Sequence, residues 1–220
     1  GWSATPTELG EGGYTVIVTA TDALGNANTY EMLFSVDITE PVISIDSGDT
    51  DSTNDGTPTI VGSAGVAADE TVVVTFRPNS QDFLTRTAVV QSDGTWNVTP
   101  SLSEGVWTIV AEVTDEAGNT GSFTQTLTVD TTAPALTVTS KDLTKESSPT
   151  ITGTTEEGAQ IAVSVAGSIE GNLKRSLERE GDVFVVEFST DGTGWTATTS
   201  EVFVDGAYEV AVTATDAVGN

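Results

Sequence analysis

Apolar and polar side chains alternate along a short segment that occurs three times in the chain. The copies are EGGYTVIVTATD (11–22), EGVWTIVAEVTD (104–115) and DGAYEVAVTATD (205–216). In the first copy, one face carries Tyr14, Val16, Val18 and Ala20, and Thr and Ile lie between them. A period of two in a segment rich in Val and Thr predicts a half-buried β-strand.

Other segments return at nearly the same spacing. VDITEP (36–41) matches VDTTAP (129–134) after 93 residues, and TPTIVGSA (57–64) matches SPTITGTT (148–155) after 91. Self-similarity at a fixed spacing predicts repeated domains. The predicted domains are residues 1–37, the C-terminal part of one repeat; 38–130, a complete repeat; and 131–220, a repeat that lacks its last strand.

The middle repeat contains seven strand candidates. They are 42–45, 59–64, 71–76, 85–91, 95–99, 106–114 and 122–129. Seven short strands with no long helical pattern predict a β-sandwich, so the predicted fold class is all-β, with tandem immunoglobulin-like sandwiches of about seven strands each. Residues 171–181 suit a hairpin or a short helix.

Each alternating segment starts with a Gly followed two residues later by an aromatic side chain: Tyr14, Trp107 or Tyr208. Immunoglobulin-like folds have their tyrosine corner at this position. A buried aromatic residue at the start of a strand is equally compatible with the pattern. Because Trp107 has no hydroxyl, the corner hydrogen bond is not expected to form in the same way there.

The first and third repeats are incomplete within this sequence. Residues 1–37 hold only the last strands of a repeat, and two or three strands are marginal alone. We expect them to be poorly packed, to complete the third domain of another chain, or to belong to a longer molecule.

Composition excludes several classes of function. The chain has 33 acidic and 7 basic residues, a formal net charge of −26, and neither His nor Cys. Such a charge is incompatible with nucleic-acid binding and argues against an anionic membrane surface. Without His or Cys there is no zinc site of the usual kind, no disulfide and no Ser-His-Asp or Cys-His arrangement, so we predict no enzyme. Carboxylates suit the hard cation Ca²⁺, which would neutralise this charge.

Several motifs together resemble one family. VDTTAP, SPTITGT, an acidic loop, DGTW, G-x-[YW]-T and finally T-D-x-x-G-N are similar to the bacterial immunoglobulin-like repeats of giant surface adhesins. Those adhesins are exported by type I secretion, are often called RTX adhesins, and serve in biofilm and host attachment. The resemblance implies an extracellular location on the bacterial surface. It also implies an elongated rod of repeats, stiffened by Ca²⁺ at the domain junctions.

In such a sandwich the D-x-x-G-N turn and the entry linker meet at one pole. Two or three carboxylates with Asn, backbone carbonyls and water would supply the six to eight oxygens that Ca²⁺ prefers. The predicted ligands at complete junctions are Asp37 with Asp115 and Asn119, and Asp130 with Asp216, Asn220 and Glu156 or Glu157. In the middle repeat the position that matches Glu156 is Gly65, a departure from the pattern, and Asp69 or Glu70 of the same, longer loop is the substitute. Asp22 with Asn26 forms an incomplete site. Turn formation alone also explains D-x-x-G-N, because Asp opens type I turns and Gly adopts positive φ.

Two further segments leave alternatives open. The loop 46–57 carries Asp46, Asp49, Asp51 and Asp55 but lacks the Gly and Glu of an EF-hand, so a solvated loop is as compatible as a metal site. The third repeat has an insertion at 168–182, which is a tolerated loop or a protrusion that binds a partner.

Two functions fit these observations. The first is a structural extender whose partners are neighbouring repeats of the same chain, with Ca²⁺ stiffening the stalk that projects a distal binding domain in cell adhesion or biofilm formation. The second is a binding module for a protein or glycan on a host or neighbouring cell, which requires an exposed aromatic cluster or apolar patch. Trp2, Trp96 and Trp195 all follow Gly at a strand start, which favours core positions for them.

Overall fold

The computed structural model describes residues 1, 3–46, 52–78, 83–141, 144–166, 185–189, 192–198 and 202–220. All regular elements in this part of the chain are strands. They are β1 (Gly12–Thr21), β2 (Ala27–Val36), β3 (Ile43–Ile45), β4 (Ser52–Thr53), β5 (Ile60–Ala64), β6 (Thr71–Pro78), β7 (Leu84–Val89), β8 (Thr95–Val98), β9 (Gly105–Thr114), β10 (Thr120–Val129), β11 (Leu136–Val138), β12 (Ile151–Thr155), β13 (Gln160–Ala166), β14 (Val185–Phe188), β15 (Gly194–Thr198) and β16 (Glu209–Thr215). The doubtful segment 171–181 and the insertion 168–182 lie outside the described residues.

The described chain forms two compact units. One comprises Gly1–Asp51 and Gly56–Val129, and the other comprises Ser52–Asp55 and Asp130–Asn220. Within the described ranges, no helix is long and apolar enough to cross a membrane.

The middle repeat is a sandwich, as its period-two pattern predicts. Strands β3, β5 and β8 form one sheet, and β10, β9, β6 and β7 follow one another in the second. Alternate residues of β9 are buried between the sheets, among them Ile109, Ala111 and Val113. The seven predicted strands are confirmed, and each predicted end lies within two residues of the observed end. The two-residue β4, inside the loop expected between strands one and two, was not predicted.

A glycine beneath a tryptophan organises the core of this sandwich. Trp96 is only 1% exposed, and a Cβ added to Gly62 on the neighbouring strand would overlap its indole and the Ser44 carbonyl oxygen. The same arrangement recurs in the second unit between Gly153 and Trp195, which is 2% exposed. Because the same contact between Gly and Trp occurs in both units, both tryptophans are core residues.

The second unit repeats the same plan. Its sheets are β11–β12–β15–β14 and β13–β16. Ile151, Val163, Trp195 and Ala197 are its buried core residues. The core of the middle repeat includes apolar residues of β10, such as Leu127 and Val129.

Strands β1 and β2 form an antiparallel hairpin ahead of the middle sandwich. Its register runs from Gly12 opposite Val36 to Thr21 opposite Ala27. No residue of either strand is buried, and Ile17 and Leu33 are exposed. A stacked pair with ring centroids 5.6 Å apart, Tyr14 and Phe34, joins the two strands. Neither strand of this hairpin therefore contributes a buried residue to a core.

The aromatic corner is present three times. The Tyr14 hydroxyl donates to the Gly10 carbonyl at 2.8 Å, and the Tyr208 hydroxyl donates to the Val204 carbonyl at 3.0 Å. At the middle copy, the Trp107 indole N–H donates to the Ser103 carbonyl at 2.9 Å. Trp107 therefore makes the same link, to the residue four positions earlier, through a different atom. The expectation that this bond does not form in the same way at Trp107 is confirmed, because an indole N–H donates in place of a hydroxyl.

Candidate functional site at the repeat linkers

The turn between β9 and β10 is held together by the side chain of Asp115. One carboxylate oxygen, Oδ1, accepts from the Asn119 backbone N–H at 2.8 Å, and the other, Oδ2, accepts from the Asn119 side-chain amide at 3.0 Å. The Gly118 N–H donates to the Asp115 carbonyl at 3.1 Å, and Gly118 has φ of 97°. Asp, Gly and Asn are therefore all used by the turn itself.

The Asn of this turn also binds the linker that enters the same repeat. The Asn119 Nδ2 group donates to the backbone carbonyl of Asp37 at 3.2 Å. Asn119 and Asp115 are half-buried, whereas the Asp37 side chain is exposed. The structure thus brings the predicted turn and linker together, through an amide and a backbone carbonyl. We name this hydrogen bond from Asn to the linker carbonyl the amide latch.

The amide latch recurs in the second unit. Asn220 Nδ2 donates to the Asp130 carbonyl at 2.8 Å and to Asp216 Oδ2 at 2.9 Å. The Asp216 Oδ1 atom accepts backbone N–H groups of Val218, Gly219 and Asn220 at 2.8 to 3.0 Å. In both linkers, which lie 93 residues apart, an Asn side-chain amide therefore donates to the backbone carbonyl of an Asp.

The first copy of the turn provides an internal comparison. Asp22 Oδ1 accepts from the Asn26 N–H at 2.9 Å, and Asp22 Oδ2 accepts from the Asn26 amide at 2.8 Å. Both residues are exposed, and neither bonds a linker within the described residues. The turn therefore forms without a linker, and the amide latch is an addition to it.

Hydrogen bonding stabilises the charged form of all three turn aspartates. The side-chain amide of the following Asn, aided by backbone N–H groups, lowers the pKa of Asp22, Asp115 and Asp216. A carboxylate that accepts several N–H groups is stabilised in its charged form. These residues are therefore anionic at neutral pH, as a cation site or a turn requires.

The linker carboxylates face their own backbone. Asp37 Oδ1 accepts from the Thr39 N–H at 3.1 Å, and Asp130 Oδ1 accepts from the Thr132 N–H at 3.2 Å. The Thr39 hydroxyl in turn donates to Glu11 Oε2. Sequence reasoning singled out the Asp37 side chain, whereas it is the Asp37 carbonyl that meets the turn.

The linker also packs closely on β10. A Cβ added to Gly121 would overlap the Pro41 carbonyl oxygen. Only a residue without a side chain allows this approach. In the sequence, a Gly directly after D-x-x-G-N-T indicates that some backbone approaches closely at this point. The pattern does not reveal that this backbone is the linker at Pro41.

Other predicted ligands lie in different places. Asp69 adopts a positive φ of 72° in the loop before β6 and donates its N–H to the Val90 carbonyl at 2.9 Å. Glu156 opens the turn between β12 and β13, where its carbonyl accepts the Ala159 N–H at 3.4 Å. No hydrogen bond joins either side chain to a turn or linker within the described residues. Asp49 and Asp51 lie outside the described residues.

Asp55 belongs to a short segment, Ser52–Asp55, of the second unit. Nothing in the sequence indicated that this segment lies beside the linker at Asp130. The Asp130 N–H donates to the Thr53 carbonyl at 2.9 Å, and the Asp55 N–H donates to Thr53 Oγ1 at 3.1 Å. Gly219 of the turn lies beside the Asn54 side chain. The segment 52–55 therefore contacts both linker and turn, which spacing along the sequence does not reveal.

The donor chemistry of these residues fits a hard cation. Each linker–turn pair offers two carboxylates, Asp37 with Asp115 or Asp130 with Asp216. At Asp216 the Oδ1 atom already accepts three backbone N–H groups, so the Oδ2 atom has more acceptor capacity left for a cation. In the described part of the chain, no three acidic side chains come together in a metal-binding group. A Ca²⁺ ion would therefore need carbonyl, amide and water oxygens as well.

The paired sheets, the aromatic corner and the repeated linker turn define a tandem immunoglobulin-like β-sandwich protein. Two family models match this sequence: Bacterial Ig-like domain over residues 38–131 and Bacterial Ig-like domain (group 3) over residues 91–175. Residues 38–175 of the chain, which these two models cover between them, are thus similar to bacterial immunoglobulin-like domains. A search of curated proteins finds no match.

Solved structures similar to the chain include two adhesins. A tetra-tandem repeat in the extending region of a large adhesion protein is 27% identical with a TM-score of 0.39, and the match covers 96% of this chain and 54% of that one. A structure of a 1.5-MDa bacterial ice-binding adhesin is 23% identical with a TM-score of 0.44, and the match covers 94% and 69%. Murine CEACAM1b is 16% identical with a TM-score of 0.31, and the match covers 79% and 92%. The chain thus spans about half the length of the first of these structures.

Proposed function

We propose that the chain is part of the structural extender of a bacterial surface adhesin, in which tandem repeats space a distal binding domain away from the cell. The amide latch carries this proposal. Both linkers in the sequence are bound by the Asn of the repeat that follows, at 3.2 and 2.8 Å. A linker fixed to its own repeat has less freedom than a flexible tether, which is what a spacer requires.

The composition supports the same proposal. A net charge of −26 keeps the chain soluble and repels copies of itself. Neither His nor Cys is present, so the common general base and the thiol nucleophile are absent from the sequence. The role we propose is mechanical, and its partners are neighbouring repeats of the same polypeptide outside the cell.

We propose in addition that Ca²⁺ binds at the linker–turn pairs. Asp37 and Asp115 would hold it at one linker, and Asp130 and Asp216 at the other, with Asn119 and Asn220 alongside. A bound divalent cation would supply charge neutralisation between carboxylates that otherwise repel one another. The motif resemblance, the meeting of turn and linker, and the oxygen-only donors support this proposal.

The ligand-binding alternative lacks support from the tryptophans. Trp96 and Trp195 are core residues, and Trp2 lies outside the described residues. Neither of these two described tryptophans therefore contributes to the exposed aromatic cluster or apolar patch that this alternative requires.

Because the chain has no Cys, spin labels can be placed at single engineered positions without removing native thiols. We would label Glu31→Cys on β2 and Ser122→Cys on β10, both exposed, and measure the distance distribution between them in Ca²⁺ and in chelator. The proposal predicts one narrow distribution in Ca²⁺ that broadens in chelator.

Two variants refine this experiment. Asp115→Ala should remove the effect of Ca²⁺, while Asp22→Ala, in the matching turn that bonds no described linker, should leave it in place. An equally broad distribution under all conditions would rule out a stiff linker. A narrow distribution that is the same in Ca²⁺ and in chelator would support the spacer proposal and contradict the Ca²⁺ proposal.

A further inference from the structure

The linker that follows β2 is bound from two sides within the first unit. On one side, the Thr39 hydroxyl donates to Oε2 of Glu11, which lies directly before β1. On the other side, the amide latch from Asn119 holds the Asp37 carbonyl at 3.2 Å. The Asp37 Oδ1 atom accepts from the Thr39 N–H at 3.1 Å and so connects the two contacts. A continuous series of hydrogen bonds therefore runs from the first repeat, through the linker, to the turn of the middle repeat.

The hairpin determines where the Glu11 carboxylate can reach. Strands β1 and β2 pair from Gly12 opposite Val36. Glu11 is next to Gly12 on the outer side of this pair, and the linker leaves from Val36. The hydroxyl of the aromatic corner, from Tyr14, bonds the backbone carbonyl of the residue before Glu11 at 2.8 Å. Glu11 is thus held between a strand and the aromatic corner, at the point where the linker begins.

Both members of this pair recur in the sequence at the same spacing. Glu11 lies 28 residues before Thr39. Glu104 occupies the same position before β9 and lies 28 residues before Thr132. Glu11 is exposed, so burial gives no reason for a particular side chain at this place. The contact with the linker hydroxyl does give a reason for an acceptor there.

We infer that Glu11 is a positioning residue through which one repeat sets the direction of the linker that leaves it, with the Thr39 hydroxyl as its partner. This inference deepens the proposed spacer role and rests on it. The amide latch alone fixes the linker only to the repeat that follows. A second contact, on the preceding repeat, restrains the other end, because a Thr hydroxyl has one proton to donate and few χ1 rotamers in which to donate it. The restraint uses protein groups alone, so we expect it with or without a bound cation.

The χ1 rotamer of Thr39 reports this contact directly. In the full chain kept in chelator, three-bond NMR couplings of Thr39 should show one dominant rotamer. Glu11→Ala should raise the population of the other rotamers about fivefold. Glu11→Gln, which keeps an acceptor oxygen, should retain the single rotamer. The matched control is Glu40→Ala, which removes the same charge from an exposed position of the same linker. Averaged rotamers in the unmodified chain, or equal effects of Glu11→Ala and Glu40→Ala, would overturn the inference.

Spin-label distances separate this inference from the spacer proposal. The labels are again at Glu31→Cys and Ser122→Cys, and the chain is in Ca²⁺. Glu11→Ala and Thr39→Val should each broaden the distance distribution, and the two together should broaden it no further, because both remove the same contact. Both side chains are exposed, so neither change disturbs a core. A distribution that is narrow in the parent chain and stays narrow in both variants would overturn the inference and leave the spacer proposal standing. A distribution that is already broad in the parent chain would contradict both.

Discussion

The side-chain amide of Asn119 lies 3.2 Å from the backbone carbonyl oxygen of Asp37, a residue 82 positions earlier. The same relationship joins Asn220 to Asp130 at 2.8 Å, across 90 positions. Because each Asn also bonds its turn aspartate, one amide group ties the start of a repeat to the turn near its end. An Asp at this position could not donate both hydrogen bonds.

Asn119→Ala should free the linker and leave the sandwich folded. The lost hydrogen bond to the linker is worth about 1 kcal/mol, so opening of the linker should increase about fivefold. Hydrogen exchange of the Thr39 N–H, which bonds Asp37 Oδ1, measures this opening. Asn26→Ala is the matched control, and equal acceleration in both variants would contradict a role for the latch.

Gly121→Ala should disturb the linker by steric overlap. The new Cβ would overlap the Pro41 carbonyl, and the linker or strand β10 must shift, at a cost of about 1–3 kcal/mol. Urea denaturation would measure the loss in free energy of unfolding. Ser122→Ala, on the exposed neighbouring residue, should change it by less than about 0.5 kcal/mol. A neutral Gly121→Ala would show that the linker does not dock as described.

Acid should weaken the turns. The folded-state pKa of Asp115 is lowered, chiefly by the Asn119 amide, so its stabilising contribution is fully present above the unfolded pKa of about 3.9. That contribution is lost as the pH falls from there through the lowered folded value. NMR titration of the Asp115 carboxyl carbon should give a midpoint below about 3.9. In Asn119→Ala the midpoint should rise towards the reference value, and an unchanged midpoint would contradict the assigned cause.

Trp107→Tyr should preserve the corner of the middle repeat better than Trp107→Phe. Tyr can donate from its hydroxyl, as Tyr14 and Tyr208 do, while Phe leaves the Ser103 carbonyl without this donor. Both variants lose core volume, so the informative quantity is the difference between them, expected to be about 1 kcal/mol. Thermal denaturation of the two variants measures it. Equal losses would mean that the corner hydrogen bond contributes nothing to stability.

Strand positions followed directly from the sequence because they depend on local periodicity. The alternation Trp107, Ile109, Ala111, Val113 fixes which face of β9 is buried, and this holds in the sandwich. The turn could be predicted in the same way. The five-residue segment D-x-x-G-N needs one residue with positive φ, and Gly118 supplies it. Rules that depend only on neighbouring residues were therefore sufficient to predict both the strands and the turn.

Features that depend on which surfaces meet could not be read from spacing. The sequence predicted Asp37 near Asn119 and pointed to its carboxylate as a metal ligand, but it gave no sign that the Asp37 carbonyl accepts from the Asn119 amide or that the carboxylate accepts from the Thr39 N–H. The contacts of Thr53 with Asp130, and of Gly121 with Pro41, involve backbone atoms, which every residue type has. Residue identity therefore carried little information about them.

The latched linker also has a consequence for a chain under tension. A pull that arrives through residue 37 meets the hydrogen bond to Asn119 before it reaches the sheets. Release of that bond would free residues 37–41, which extend by at most about 3.3–3.6 Å each, or roughly 17 Å in all. That extended length is the upper limit on the slack that the linker can give before the load reaches the sheets of the middle repeat.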